Sequence, residues 1–209
     1  MKSTRNDMTE EGLAGVAAAL GRGGGVIYPT ETLYALGCAA SGAEACARVA
    51  ALKGRPADKP FPLIVADMDG LRDIAAELPE DLPLAERFWP GPLSVLLRTR
   101  EGLARHVRDA LGFSSIRVSP HPTARELCRR AGPALVATSA NKSGRAATAD
   151  PAQLDPELVA GADAALLTAP RPGGGAPSTL IRLLGGGRAS VLRAGAVPLD
   201  ALAQVFTLV

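Results

Sequence analysis

Aromatic side chains make up only 3% of this 209-residue chain, and histidine occurs twice, as His106 and His121. So few rings argue against a surface built to stack single-stranded nucleic-acid bases. Two histidines exclude a multi-histidine metal centre. Cysteine is nearly as sparse: Cys38, Cys46 and Cys128 form no close C-x-x-C pair. Neither a disulfide framework nor a zinc knuckle is therefore expected, and the three read as small buried hydrophobes. No apolar run approaches the roughly 20 residues that span a bilayer. The polar opening Met1 to Glu11 has no signal-peptide core, which leaves a cytoplasmic protein without a membrane partner as the expectation. The phosphate-cradling G-x-x-x-x-G-K-[ST], a G-x-G-x-x-G after a strand and the zinc motif H-E-x-x-H are also missing.

What is present is a composition of 47% hydrophobic and 21% charged residues, which fits a folded domain. The length allows one sizeable core, so residues 1–8 are expected as a flexible N-terminus and 9–209 as a single domain. The net charge of +2 is unevenly spread. Residues 1–97 carry 9 Lys+Arg against 13 Asp+Glu, while 98–130 carry 8 against 3. The basic middle, with Arg98, Arg100, Arg105, Arg108, Arg117, Arg125, Arg129 and Arg130, has guanidinium groups that could face phosphates. A solvated surface is the plainer reading for most of the eight.

Short apolar runs alternate with helical patterns along the chain. Thr9 can cap a helix with Glu10 and Glu11 in its first turn, and Ser41 with Glu44 forms a capping box for an alanine-rich helix to about Leu52. Asp67 or Asp69 caps a third helix, and Leu84 to Phe88 form a short fourth. Further helices are predicted around 102–110, 122–131, 155–160 and 198–206. Strands are predicted at 26–28, 61–65, 93–98, 114–118, 134–138, 164–168, 178–183 and 190–193. This alternation predicts an α/β protein with a twisted, mixed, open sheet covered by helices, the 178–193 hairpin supplying antiparallel pairing.

Six polar segments fall at strand or helix ends: PTETLYALG (29–37), KGRPADK (53–59), RVSPHP (117–122), TSANKSG (138–144), GGGAPST (173–179) and LRAG (192–195). Loops leaving strand ends form the ligand cleft of open α/β sheets. Lys53, Arg55 and Lys59 put three cations in one loop, and Ser139, Asn141, Ser143, Ser178 and Thr179 offer partners for phosphate or carboxylate oxygens. A polyanion such as ATP matches this set. Singly, each segment also has a structural reading. KGRPADK can be a solvated loop, His121 a helix-start residue, TSAN a capped turn, and the triple glycines at 23–25 and 185–187 a helix end and a hairpin turn. Trp89 reads as packing.

Taken in order, PTETLYALG, KGRP, WPGPLS, RVSPHP, TSANKSG, PSTLI and VLRAG resemble the segments of YrdC-like threonylcarbamoyl-AMP synthases, over roughly residues 23–196. The likeness is to members without the C-terminal extension domain that others carry. It implies an α/β fold with a deep basic cleft, in which L-threonine, bicarbonate and ATP give threonylcarbamoyl-AMP and pyrophosphate for the t6A modification of tRNA. By motif, Thr30 and Arg117 would bind threonine, the arginine through the carboxylate. Lys53, Arg55, Lys59, Ser139, Asn141, Ser178 and Arg193 would surround ATP, with Lys53 and Arg55 neutralising transition-state charge. Mg²⁺ would accompany the nucleotide, and no protein metal site is implied. Downstream partners would be the proteins that transfer the threonylcarbamoyl group, with weak binding of tRNA or double-stranded RNA.

Some positions depart from the family pattern. Ala35 stands for a glycine, Ser119 for a proline and Pro177 for a frequent glutamate, changes read as affecting loop shape more than charge. Ala66 and Asp67 follow the LIV strand where many members carry a histidine, which loosens the expectation of threonine selectivity. Two other readings remain open: a carbamoyl-adenylate enzyme of this fold with another acceptor, and a double-stranded RNA-binding module using the 98–130 stretch.

Overall fold

The computed structural model describes residues 10–167 and 170–209. The expected flexible N-terminus, the Thr9 cap and the end of the strand predicted at 164–168 fall wholly or partly outside these residues. Along the chain come α1 (Glu10–Gly21), β1 (Val26–Pro29), β2 (Tyr34–Gly37), α2 (Ala43–Lys53), β3 (Leu63–Val65) and α3 (Met68–Ile74). Then follow α4 (Leu82–Glu86), β4 (Leu93–Arg98), β5 (Phe113–Val118), α5 (Pro122–Ala131), β6 (Leu135–Val136) and β7 (Thr138–Ser139). The chain continues with α6 (Pro156–Gly161), β8 (Ala164–Ala165), β9 (Thr179–Gly185), β10 (Arg188–Arg193), α7 (Leu199–Ala203) and β11 (Thr207–Leu208).

The strands make two mixed sheets rather than one. A four-stranded sheet runs β7-β2-β1-β8, and a seven-stranded sheet runs β11-β10-β9-β4-β5-β3-β6. The centre of the larger sheet pairs β4 with β5 antiparallel and with β9 parallel, while β3 lies parallel to β5. The segment 135–139 belongs to both sheets: β6 edges the larger and β7 the smaller. Burying the apolar faces against helices drives this arrangement, each fully buried aliphatic or aromatic side chain contributing about 1.5–3 kcal/mol. One cluster gathers Phe61, Leu63, Leu71, Leu93 and Ile116; a second gathers Val16, Tyr28, Ile64 and Leu127 beneath α1 and α5.

Four local expectations need correction. Ser41 and Glu44 form no capping box: the N-cap of α2 is Gly42, with no side-chain cap bond. The helix predicted at 102–110 is only a 3₁₀ turn at Arg105–Val107. There the carbonyl of His106 accepts from the Phe61 N–H at 2.7 Å, and Asp109 Oδ1 takes the N–H groups of Leu111 and Phe113, so the groups a helix would use are committed elsewhere. The C-terminal helix ends at Ala203, and Thr207–Leu208 pair parallel with β10. Finally, PTETLYALG contains a strand, β2, that the polar reading of the segment left out. Other readings hold: Asp67 caps α3 through the Gly70 N–H, and Gly185–Gly187 close the β9–β10 hairpin with φ of +82°, +62° and +70°. All three cysteines are buried and free, with the Cys38 and Cys46 sulfurs 3.5 Å apart. Among the described residues, no helix is long and apolar enough to cross a membrane.

Candidate functional site

Between the two sheets lies a cavity of about 230 Å³. Its walls come from loops far apart in sequence: Thr30 and Thr32 after β1, Tyr34 and Ala35 on β2, Arg55 after α2, Ser115 and Arg117 on β5, Thr138 and Ser139 on β7, and Pro177, Ser178 and Arg193 on the β9–β10 side. Strand alternation explains one pair: Ser115 and Arg117 are two apart on β5 and share the face toward the cavity. Six of the nine expected site residues therefore converge: Thr30, Arg55, Arg117, Ser139, Ser178 and Arg193.

Lys53, Lys59 and Asn141 are not among the lining residues. Lys53 ends α2 and is buried. Its Nζ donates to the carbonyls of Ser139 and Asn141, both at 2.6 Å, and to Asn141 Oδ1 at 3.3 Å. Burial, and then the Arg55 charge, pushes this ammonium down to about 8. Three oxygens take its three hydrogens, so its visible work is to hold the TSAN loop in place. The Asn141 amide nitrogen donates to the carbonyls of Lys142 at 2.9 Å and Arg145 at 2.7 Å, which folds that loop on itself. The Lys59 side chain is exposed, while its carbonyl accepts from Arg55 Nε at 2.9 Å.

Arg55 is fixed on several sides. It also donates from Nη2 to the Pro60 carbonyl at 2.7 Å and from Nη1 to Thr138 Oγ1 at 3.4 Å, and it lies 4.8 Å over the Phe61 ring. Arg193 donates to the Ser178 carbonyl from Nε at 3.1 Å and Nη2 at 2.8 Å, and from Nη2 to Ser178 Oγ at 3.0 Å. Ser178 Oγ is also 2.9 Å from Ser94 Oγ. Burial, and then the charge of Arg193, lowers the pKa of Arg55; burial, and then Arg117, lowers that of Arg193. Like charges gathered on one cavity make a place suited to an anion.

Among the described residues, only one of these cations has a carboxylate partner. Arg117 Nε donates to Glu31 Oε1 at 2.6 Å. Glu31 Oε2 accepts from Ser119 Oγ at 2.7 Å. Burial works to raise the Glu31 carboxyl, but the Arg117 charge and the Ser119 hydroxyl prevail and hold it below the usual carboxylate value. Ser119 therefore bears on charge, which corrects its reading as a loop-shape change. Thr30 Oγ1 donates to the Leu33 carbonyl at 2.7 Å and so turns the PTET loop. The 173–174 stretch lies over this loop, with the N–H of Gly173 on the Glu31 carbonyl at 3.2 Å and that of Gly174 on the Thr32 carbonyl at 2.8 Å.

Glu31, Thr32, Tyr34, Ser115 and Thr138 were not singled out from sequence. Four of them sit inside segments already marked as polar strand ends. Ser115 carries no such signal, yet its Oγ is buried with no hydrogen-bond partner among the described residues while the residue lines the cavity. Of the eight arginines in the basic middle, Arg117 alone is a lining residue. Arg129 and Arg130 pair with Asp67, Glu126 and Glu10, and Arg100 donates to the Ala75 carbonyl. Ala66 and Asp67 lie outside the lining.

Residues 18–195 match the Sua5/YciO/YrdC family model, described as "Telomere recombination". A threonylcarbamoyl-AMP synthase of Halorhodospira halophila is 42% identical over 130 residues, covering 62% of this chain and 68% of the relative. One from Xanthomonas campestris is 36% identical over 157 residues, covering 74% and 84%. The crystal structure of Pyrococcus abyssi Sua5 complexed with L-threonine superimposes with a TM-score of 0.86 at 29% identity, over 98% of this chain but 61% of that one. With the family model spanning most of its length, the chain belongs to the Sua5/YciO/YrdC family.

Proposed function

We propose that this protein makes threonylcarbamoyl-AMP from L-threonine, bicarbonate and ATP, releasing pyrophosphate. The observation that carries the reading is the convergence of Arg55, Arg117 and Arg193 on one cavity in which, among the described residues, only Arg117 has a carboxylate counter-ion. Two excess positive charges beside hydroxyls from Thr32, Ser115, Ser139 and Ser178 suit phosphate and carboxylate oxygens together. At about 230 Å³ the cavity suits the reacting ends of the substrates, an amino acid and a phosphoryl group, with the nucleoside reaching beyond it.

The chemistry needs no protein nucleophile. The threonine amine takes up bicarbonate as a carbamate with loss of water; a carbamate oxygen then attacks the α-phosphorus of ATP, and the bond to pyrophosphate breaks. Arg117 takes the threonine carboxylate. Arg55 and Arg193, with Ser139 and Ser178, hold the phosphates and meet the charge that builds as pyrophosphate leaves, so catalysis is positioning and electrostatic stabilisation. Lys53 supports this from behind, by fixing the Ser139 loop. Among the described residues the cavity lining carries no carboxylate, and no group of three or more His, Cys, Asp or Glu could hold a metal ion. With this lining Mg²⁺ would come bound to the nucleotide rather than to protein carboxylates, and would supply neutralisation of phosphate charge.

The product would feed the proteins that place threonylcarbamoyl on tRNA in the cytoplasm. The test is pyrophosphate release from ATP and bicarbonate, with and without L-threonine. Release that depends on threonine supports the reading. Release without threonine would favour a carbamoyl-adenylate enzyme with another acceptor, and salt-sensitive affinity for double-stranded RNA with no turnover would favour an RNA-binding module.

A further inference from the structure

Arg117 lines the cavity, but Glu31 does not. The pair is nonetheless almost sealed from water, the two side chains being 5% and 9% exposed. An arginine has five N–H donors in a flat fork. Here Nε is bound to Glu31 Oε1, and no hydrogen bond from Nη1 or Nη2 is found among the described residues. The outer edge of the fork is thus left for the cavity, while its inner nitrogen fixes the plane of the group.

The carboxylate that does the fixing is itself held. Its second oxygen accepts from Ser119 Oγ at 2.7 Å, and Ser119 is wholly buried. That hydroxyl oxygen also accepts the His121 N–H at 3.2 Å, where the chain enters α5. A proline at 119 could supply neither bond. The chain β5–Arg117–Glu31–Ser119–α5 therefore ties the guanidinium to two rigid elements, and a side chain pre-ordered in this way loses less entropy when a ligand binds.

We infer that Glu31 and Ser119 are positioning residues that aim the outer edge of Arg117 at the carboxylate of the amino-acid substrate. The inference rests on the threonine reading proposed above. It assigns a direct purpose to a glutamate in PTET that never meets the substrate, and it makes Ser119 a partner in that purpose.

The test compares two probes by calorimetry: L-threonine and L-threoninamide, which lacks the carboxylate charge. The wild-type protein should prefer threonine. In Glu31→Gln the preference should shrink about tenfold and in Ser119→Ala about threefold, the range set by the net contribution of one ordinary hydrogen bond acting through Arg117. Threoninamide and ATP affinities should stay within about twofold, and Ser119→Thr, which keeps the hydroxyl, should restore the preference. Equal weakening toward both probes would mean a merely structural role and overturn the inference. So would undiminished discrimination in Ser119→Ala, which also decides the matter if Glu31→Gln does not fold. A wild-type protein that discriminates while neither variant differs from it overturns the inference alone; one that binds neither probe overturns the threonine reading and this inference with it.

Discussion

Replacing Lys53 by methionine keeps the length and apolar stem of the side chain while removing its charge. The structure sets the two opposing costs. Two bonds at 2.6 Å and one at 3.3 Å to an ammonium are lost, each worth about 1.5–3 kcal/mol. Against that, keeping the proton on a group pushed from 10.5 to about 8 costs the folded state about 3 kcal/mol, which the substitution relieves. The net destabilisation should therefore be about 1.5–6 kcal/mol, or a fall in Tm of about 2–4 °C per kcal/mol for a chain of this size. The local damage should fall on the TSAN loop, whose Ser139 and Asn141 carbonyls lose their donor. Turnover should drop about 10–100-fold through misplacement of Ser139. Threonine-dependent pyrophosphate release, thermal unfolding and amide hydrogen exchange over 139–145 measure the three quantities. Faster exchange in the loop together with lost turnover supports a supporting role. Full turnover would refute that role, and lost turnover with unchanged exchange would return Lys53 to direct contact with phosphate.

Arg55→Ala should leave the fold intact and reduce turnover about a hundredfold, the usual cost of losing one preorganised charge stabiliser, measured by pyrophosphate release. Gly37→Ala should destabilise strongly, by about 3 kcal/mol or more in denaturant unfolding, because a Cβ there would overlap the Val136 carbonyl oxygen where β2 passes β6. Glu31 adds a pH dependence. Its pKa is lower folded than unfolded, so its contribution is complete above the unfolded value of about 4.3 and is lost as pH falls through the lower, folded value. The stability gap between wild type and Glu31→Gln should accordingly narrow as pH falls below about 4.3 in acid-titration unfolding. Removing Mg²⁺ with a chelator should abolish pyrophosphate release without lowering Tm, since the lining offers the ion no carboxylate.

The elements with a clear period were legible in the sequence. β4 and β5 show unbroken apolar or alternating runs, and α5 has its Pro122 start and its Arg129–Arg130 end. β2 was obscured because Tyr34–Gly37 is buried throughout and follows directly on a threonine-rich turn, so no alternation marks it. The 102–110 segment has helical spacing, but tertiary hydrogen bonds to Phe61 and through Asp109 override it. The site was legible as segments and less so as roles. Motif order placed Arg55, Arg117 and Arg193 in one region. Local charge density instead directed attention to residues such as Arg129 and Arg130, whose partners on neighbouring helices only the fold reveals. The burial of Lys53 and the Glu31–Ser119 pairing join residues 86 and 88 positions apart, and no local pattern records such contacts.

Leu135–Ser139 edges two sheets within five residues, and the cavity sits along the resulting seam. Thr30, Tyr34 and Ser139 travel with the smaller sheet; Ser115, Arg117 and Ser178 travel with the larger. The bridge between Ala39 and Leu135 and the bond from the Tyr28 hydroxyl to the Val136 carbonyl fasten the smaller sheet to β6, and so hold the two sets of side chains in register across the cavity. The cavity lining is thus divided between two sheets that share one short stretch of chain, so its shape depends on how the sheets sit against each other.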